Sequence, residues 1–353
     1  MGHLAVSLAL ALAVGYLLTP VVGRLAGKLG ALDVPDARKL HTRPVPRLGG
    51  LAVYLAFLAG LLAFGPAGRE IWGLVVGASL IVVLGTLDDI YDLPAKVKLA
   101  GQIAAAAAVI PFGLQVEFVT NPLNGGLIHL GWWGIPVTVF WLVAVTNALN
   151  LIDGLDGLAT GTAVIAAATL AAVAWTEGHT AAVALALIVG AAALGFLRHN
   201  FYPAKIFLGD SGSMLLGFVL AATAVIGLTK SATALSLIIP ILILGIPLFD
   251  TTLAVVRRCY RRRPIFNPDR GHLHHRLLDA GLTHRRAVLV VYGVDAVLGV
   301  SAILLTVLST DQGVVLLVLL AVTLLTAANK AGVLGRRTQR EAGLVEGENH
   351  FKT

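Results

Sequence analysis

The sequence predicts an all-α polytopic membrane protein with about eleven transmembrane helices, a small external β-hairpin and loops gathered on the cytoplasmic side. Three observations predict it. Hydrophobic residues make up 57% of the 353 and charged residues only 13%, where a soluble domain carries about a quarter charged. The apolar residues fall in runs of spanning length, about 20 residues each. The basic residues fall in alternate gaps between those runs.

The runs, in order, are Leu4–Val22, Gly49–Phe64, Ile71–Leu87, Leu99–Phe112, Trp132–Thr146, Leu158–Trp175, Ala181–Leu197, Ser213–Leu228, Ala234–Val256, Ala287–Leu308 and Gly313–Ala328. The first lacks a charged segment ahead of it and is followed by Arg24 and Lys28. It therefore reads as a retained helix and not as a signal peptide. With the N-terminus outside, the inward segments are Arg24–Arg47, Asp88–Lys98, Asn147–Asp156, Arg198–Asp210, Arg257–Arg286 and the tail after Asn329. All of the 26 Lys and Arg residues except Arg69 and Lys230 lie in them. Cytoplasmic loops carry the Lys/Arg excess, so the chain is expected in the cytoplasmic (inner) membrane with its C-terminus inside. The formal charge of +7 then reports topology and anionic lipid head groups, and no nucleic-acid partner is expected. Between the fourth and fifth runs, "LQVEFVT" and "LIHL" flank Asn121, Pro122, Asn124, Gly125 and Gly126, which reads as the hairpin. The single cysteine, Cys259, excludes an intrachain disulfide framework. Residues 1–330 read as one integral membrane domain and 331–353 as a polar cytoplasmic tail.

The acids carry the functional signal. On this topology Asp88, Asp89, Asp92, Asp153, Asp156 and Asp210 lie at one membrane face, in three different loops. Carboxylates near a membrane are costly and usually functional, and so many on one side call for cations. In "NALNLIDGLDG", Asn147, Asn150, Asp153 and Asp156 recur every third residue. They spread over about half the circumference of an α-helix or eclipse into a row in a 3₁₀-helix. In "FLGDSGS", Ser211 and Ser213 suit the cap of the next helix, and Phe207 suits stacking on a planar base. Lys98 stands at the mouth of the fourth helix, where a phosphate could sit. The longest inward loop adds Arg257–Arg263, Arg270, His272, His274, His275 and Arg276. Zinc-site spacings are absent there, whereas arginine clamps phosphate oxygens bidentately. A one-sided set of Asp and Asn oxygens suits Mg²⁺, with Mn²⁺ a substitute. Metal, cations, aromatic and membrane face together suit phosphoryl transfer between a nucleotide sugar and a lipid phosphate.

Four ordered stretches, "LDDIYDLPAKVKL", "NALNLIDGLDGLATG", "FLGDSGSMLLGF" and "DRGHLHHRLL", resemble the polyprenyl-phosphate N-acetylhexosaminyl-phosphate transferases. "VPDARKLHTRPVPRLGG" resembles the branch that begins teichoic acid, O-antigen or arabinogalactan synthesis. The resemblance runs from Asp33 to about Leu282. It implies Mg²⁺ ligands at Asn150 and Asp210, and catalytic acids at Asp88, Asp89 and Asp153, with Asp88 chosen as the base for the lipid phosphate. It implies phosphate contact at Lys98, a substrate-facing place for Asn147, uracil contacts at Asp156 and Phe207, and a diphosphate–sugar loop of Arg270, His272, His274 and His275. The implied donor is UDP-N-acetylglucosamine, with another UDP-N-acetylhexosamine or the muramyl-pentapeptide nucleotide as alternatives. The implied acceptor is undecaprenyl phosphate. A transporter or flippase would instead need mid-membrane polar sites and paired halves; Asp250 and Asp295 would serve that reading, but nearly all the acids gather on one face and no paired halves are visible. Asp295, inside the tenth run, calls for a partner on another helix or a homodimer contact.

Overall fold

The computed structural model describes residues 2–35, 43–65, 67–120, 126–228, 238–262 and 271–330. The expected tail, 331–353, and the expected ligand Arg270 lie outside them.

Each apolar run that falls on described residues is helical. The helices are α1 (Gly2–Leu29), α2 (Gly49–Phe64), α3 (Arg69–Tyr91), α4 (Ala95–Ala108), α5 (Gly134–Ile152), α6 (Leu158–Thr176), α7 (Thr180–Asn200), α8 (Gly209–Leu228), α9 (Ile238–Ile243), α10 (Gly245–Tyr260), α11 (Leu273–Asp279), α12 (His284–Leu305) and α13 (Thr310–Lys330). Among the described residues, nine helical stretches are long and apolar enough to cross a membrane. With only two short hairpins beside them, the fold is an all-α polytopic membrane protein, as expected. The fourth run turns from α to 3₁₀ geometry at Ile110–Phe112, where Pro111 has no N–H to give the Ala107 carbonyl.

The ninth run is broken. Its helix stops at Ile243 and restarts at Gly245. Pro247 has no N–H to give the Ile243 carbonyl, and its ring would clash with that carbonyl. The break leaves α10 as a separate amphipathic helix whose buried face holds Asp250, Ala254 and Arg258.

The bundle is arranged around α8, which is buried along nearly its whole length and packs on α3, α5, α2, α7 and α6. A second group joins α1 to α2 and α7. Close approach of α3 to α8 depends on Gly85, where a Cβ would land on the Ser211 backbone. By contrast α13 is exposed almost throughout. In lipid such a surface is not a liability, because the surrounding solvent is itself apolar.

Strands β3 (Phe118–Thr120) and β4 (Leu127–His129) pair antiparallel, Phe118 opposite His129, where the hairpin was expected. They lie at the end of the bundle where α4 finishes and α5 begins. An unforeseen hairpin at the other end pairs β1 (Leu32–Asp33) with β2 (Val45–Pro46). The chain after β2 then runs beside the segment preceding α8: the Phe207 amide donates to the Pro46 carbonyl, and the Gly49 and Gly50 amides donate to the Phe207 and Leu208 carbonyls.

Asp295 finds its partner on another helix. The Thr162 hydroxyl of α6 donates to its Oδ2 at 2.7 Å, so the α6–α12 contact satisfies one of its two oxygens, while the buried Oδ1 has no hydrogen-bond partner among the described residues. Three residues earlier, the Tyr292 hydroxyl donates to the Gly157 carbonyl.

Candidate active site

The acid-bearing ends of α3 and α5 meet the N-terminal ends of α4, α6 and α8. Two features form there, and Asp210 belongs to both.

The first is a compact acid–cation cluster. The Lys98 ammonium lies 2.8 Å from Asp88 Oδ2 and 2.9 Å from Asp210 Oδ2. The other Asp210 oxygen accepts from the Asn150 amide at 2.8 Å, and that amide also reaches Ser213 Oγ at 3.0 Å. The second Asp88 oxygen accepts from the Leu93 amide at 2.8 Å, which fixes the carboxylate where α3 ends.

Asp89 has a different task, although it is the next residue. Its side chain accepts from the Asp210 amide at 2.8 Å, the Ser211 amide at 3.1 Å and the Ser211 hydroxyl at 2.7 Å. These are unpaired donors of the first turn of α8, and a carboxylate there also suits the helix dipole. Asp89 thus caps α8 from a neighbouring helix. The caps expected from Ser211 and Ser213 are not made: both lie inside α8, and their hydroxyls donate to Asp89 and to the Gly209 carbonyl. Arg47 lies 3.9 Å from Asp89, 3.5 Å from Asp92 and 3.8 Å from Asp33.

The second feature is a cavity of about 610 Å³, within the usual range of ~300–1,000 Å³ for small-molecule sites. Asp153, Asp156, Phe207, Asp210 and His275 line it, as expected of a substrate site. Arg43, Arg47, Asn200, Tyr202 and His284 line it as well and were not singled out from the sequence. Arg43 and Arg47 stood in a quoted motif, "HTRPVPRLGG", where their position could have flagged them. Asn200 and Tyr202 precede "FLGDSGS" but carry no charge signal.

Burial, and then the carboxylates of Asp210, Asp89 and Asp156, push the Asp153 carboxyl well above the ordinary carboxylate range. The shift favours the protonated form of Asp153, the form able to donate a hydrogen bond. Asp156 Oδ2 accepts from the Ala204 amide at 2.9 Å, which ties the turn before α6 to the segment before α8.

Not every expected residue faces the cavity. The Asn147 amide donates to Gln102 Oε1 at 2.6 Å and to the Val143 carbonyl at 2.8 Å, joining α5 to α4. His272 and His274 are buried, and neither lines the cavity. Burial, then the neighbouring His275 and His272 rings, hold His274 down at about 3. His274 is thus neutral at pH 7 and supplies no charge to a phosphate. Its ring packs on Gly154, where any Cβ would strike it. Gly154→Ala is therefore expected to displace the histidine segment and cut turnover at least about tenfold, since sub-ångström misplacement in a site is costly. Unchanged initial rates of the purified variant would refute that packing role.

The oxygen donors fit a hard divalent cation. Oxygens of Asp88 and Asp210 already converge on one cationic centre, the Lys98 ammonium, with the Asn150 side chain beside them. Among the described residues no three His, Cys, Asp or Glu side chains form a self-sufficient metal cage. Mg²⁺ does not require one, because it is commonly held by one or two carboxylates completed by water and substrate phosphates.

A polytopic helical bundle with an acid–lysine cluster beside a cavity of small-molecule size fits the class of integral membrane enzymes acting on phosphorylated substrates. Comparison with known proteins specifies it further. Residues 71–228 match the profile of glycosyl transferase family 4. A protein of Bacillus subtilis, named as a probable undecaprenyl-phosphate N-acetylglucosaminyl 1-phosphate transferase, is 47% identical over 82% of this chain and 81% of its own length. A decaprenyl-phosphate N-acetylglucosaminephosphotransferase of Mycobacterium leprae is 38% identical over 78% of this chain and 77% of its own. The undecaprenyl-phosphate alpha-N-acetylglucosaminyl 1-phosphate transferase of Escherichia coli K12 is 29% identical, over 76% and 74%. The chain belongs to glycosyl transferase family 4 and is an enzyme, which bears out the resemblance drawn from its four motifs.

Proposed function

We propose that the enzyme transfers N-acetylglucosamine phosphate from UDP-N-acetylglucosamine to undecaprenyl phosphate and releases UMP, as the first membrane step of a cell-envelope glycan. The observation that carries this reading is the double membership of Asp210. It belongs to the Lys98–Asp88 cluster and to the wall of the cavity. Two phosphorylated substrates, one soluble and one lipid, can therefore meet across it.

The nucleotide occupies the cavity, with uracil near Phe207 and Asp156 and the diphosphate toward Asp210, Arg47 and the histidine segment. The lipid phosphate arrives at the Lys98 side, where Tyr91 and Val97 expose apolar surface beside the cluster. One of its oxygens forms a bond to the sugar-bearing phosphorus. The bond from that phosphorus to the bridging oxygen breaks, and the oxygen leaves with UMP and the electron pair. Where the lipid phosphate arrives with a proton, Asp88 takes it. Lys98 neutralises charge on the reacting phosphates, and Asp153 faces the nucleotide from the cavity wall. Asn150 and Asp210 would hold Mg²⁺, which when bound supplies charge neutralisation at the transferring phosphoryl group. The excess of Lys and Arg in alternate loops supports a cytoplasmic location for this end of the bundle, where nucleotide sugars are available, and an outside N-terminus.

A donor panel tests the proposal. Purified protein, undecaprenyl phosphate and Mg²⁺ are mixed with UDP-linked sugars one at a time, and UMP release is measured. UDP-N-acetylglucosamine should be used most efficiently. Turnover of the muramyl-pentapeptide nucleotide alone would overturn the donor assignment and leave the reaction class standing.

A further inference from the structure

Asp250 is a buried carboxylate that the reaction above does not use. It lies on the inner face of α10 and, among the described residues, is buried as only Asp88, Asp89 and Asp295 are among the other acids. Its Oδ2 is 2.8 Å from His272 Nδ1, and its Oδ1 accepts from the Leu273 amide at 2.8 Å. Both partners in the first contact are nearly sealed from solvent, Asp250 at 4% and His272 at 6% exposure. One carboxylate thus grips the side chain of one residue and the backbone of the next. Two turns further along α10, the Arg257 guanidinium lies where a Cβ on Gly271 would be. The Arg276 Nε closes the far side by donating to the Gly271 carbonyl at 3.0 Å. The short helix α11 is therefore held to α10 at Gly271, His272 and Leu273 in succession.

What this grip positions is visible one turn on. The His272 and His274 rings are nearly parallel, with centroids 5.8 Å apart. His274 packs against Gly154, between Asp153 and Asp156, and lies 4.3 Å from the His275 ring. His275 lines the cavity. The order of contacts runs Asp250, His272, His274, then the Gly154 turn on one side and His275 on the other.

We propose that Asp250 is a positioning residue for the transfer reaction: by holding His272 and the Leu273 amide, it sets the histidine segment against the Gly154 turn and so fixes the donor side of the cavity. The inference rests on the reading of that cavity as the nucleotide-sugar site. Asp250 touches neither substrate in this account. His272 serves as its intermediary, with the Nδ1 proton directed to the carboxylate, an orientation that outer carboxylates commonly impose on functional imidazoles.

The experiment uses full-length protein in detergent and varies donor and lipid acceptor separately. Asp250→Asn should lower kcat/KM for the donor by about 10–100-fold, the loss typical of an orienting outer partner. The acceptor KM and the thermal midpoint should stay close to those of the unaltered protein. Asp250→Glu, which keeps a carboxylate, should recover part of the loss. Should Asp250→Asn fail to fold, Asp250→Glu carries the same donor–acceptor comparison. The double variant Asp250→Asn/His272→Asn should be no worse than the poorer single variant, because residues acting through one another are not additive. Multiplied losses in the double variant would overturn the proposal, as would equal shifts in donor and acceptor KM, or full activity of Asp250→Asn. If the unaltered protein ignores UDP-N-acetylglucosamine, the donor assignment fails by itself. The clamp is then read with whichever UDP-sugar the unaltered protein does use.

Discussion

Asp210→Asn is expected to lower turnover by about 10²–10³-fold, the size of loss seen when one electrostatic contact to a reacting centre is removed. The reason lies in what surrounds its two oxygens. One accepts from Asn150 at 2.8 Å and the other from Lys98 at 2.9 Å. An amide at this position must turn its NH₂ toward one of these donors, so one contact becomes repulsive. The site also loses a negative charge from the set proposed to hold Mg²⁺, and the Mg²⁺ concentration for half-maximal rate should rise. The fold should survive, because an acid in the first turn of a helix contributes only about 0.3–1 kcal/mol. Initial rates across a Mg²⁺ titration, with size-exclusion and thermal melting as controls, decide the matter. Near-normal Mg²⁺-dependent turnover would rule out Asp210 as a ligand.

The second large effect separates two adjacent acids. Asp88→Asn should lower kcat by about 10²–10⁴-fold if its carboxylate takes the proton of the lipid phosphate. Its thermal midpoint should change little, since an amide oxygen can still accept from the Leu93 amide. Asp89→Ala should do the reverse first: it strips the cap from α8 and leaves the Asp210 and Ser211 amides without their acceptor. Loss of a cap and of buried hydrogen bonds costs about 2–4 kcal/mol together. The expected result is a marked fall in melting temperature, with activity lost as the cluster around Asp210 loosens. Thermal melts and initial rates on both variants test the split. Equal melting temperatures would remove the capping role, and a mild rate loss at Asp88 would remove the base and leave an electrostatic one.

The sequence was well placed to give the spans and the functional end of the bundle. Hydropathy is a sum over about 20 neighbours, so each apolar run announces its helix whatever it packs against. The exception, the break at Leu244, was written in Pro247, yet the long Ala234–Val256 run masked it. The acids at Asp88, Asp153, Asp156 and Asp210 were legible as one group, because alternate crossings bring alternate loops to the same face. Asp153, Asp156, Phe207, Asp210 and His275 duly line one cavity.

Division of labour within that group belonged to the tertiary structure. Adjacent residues on a helix point about 100° apart. Asp88 therefore meets Lys98 while Asp89 meets the first turn of α8, and nothing in "LDD" says which partner lies in which direction. Likewise "HLHH" offers three imidazoles, and only the Asp250 contacts to His272 and Leu273, with the packing of α11 on α12, bury His272 and His274 and leave His275 at the cavity. The partner of Asp295 is Thr162, 133 residues away along the chain, and that of His272 is Asp250 on a helix the sequence merged with its neighbour. Composition and local spacing determined where this protein crosses the membrane and at which end its chemistry sits. The role of each polar side chain was decided only when packing brought another helix within hydrogen-bonding distance, because such contacts act over about 3 Å and join residues that the sequence keeps far apart.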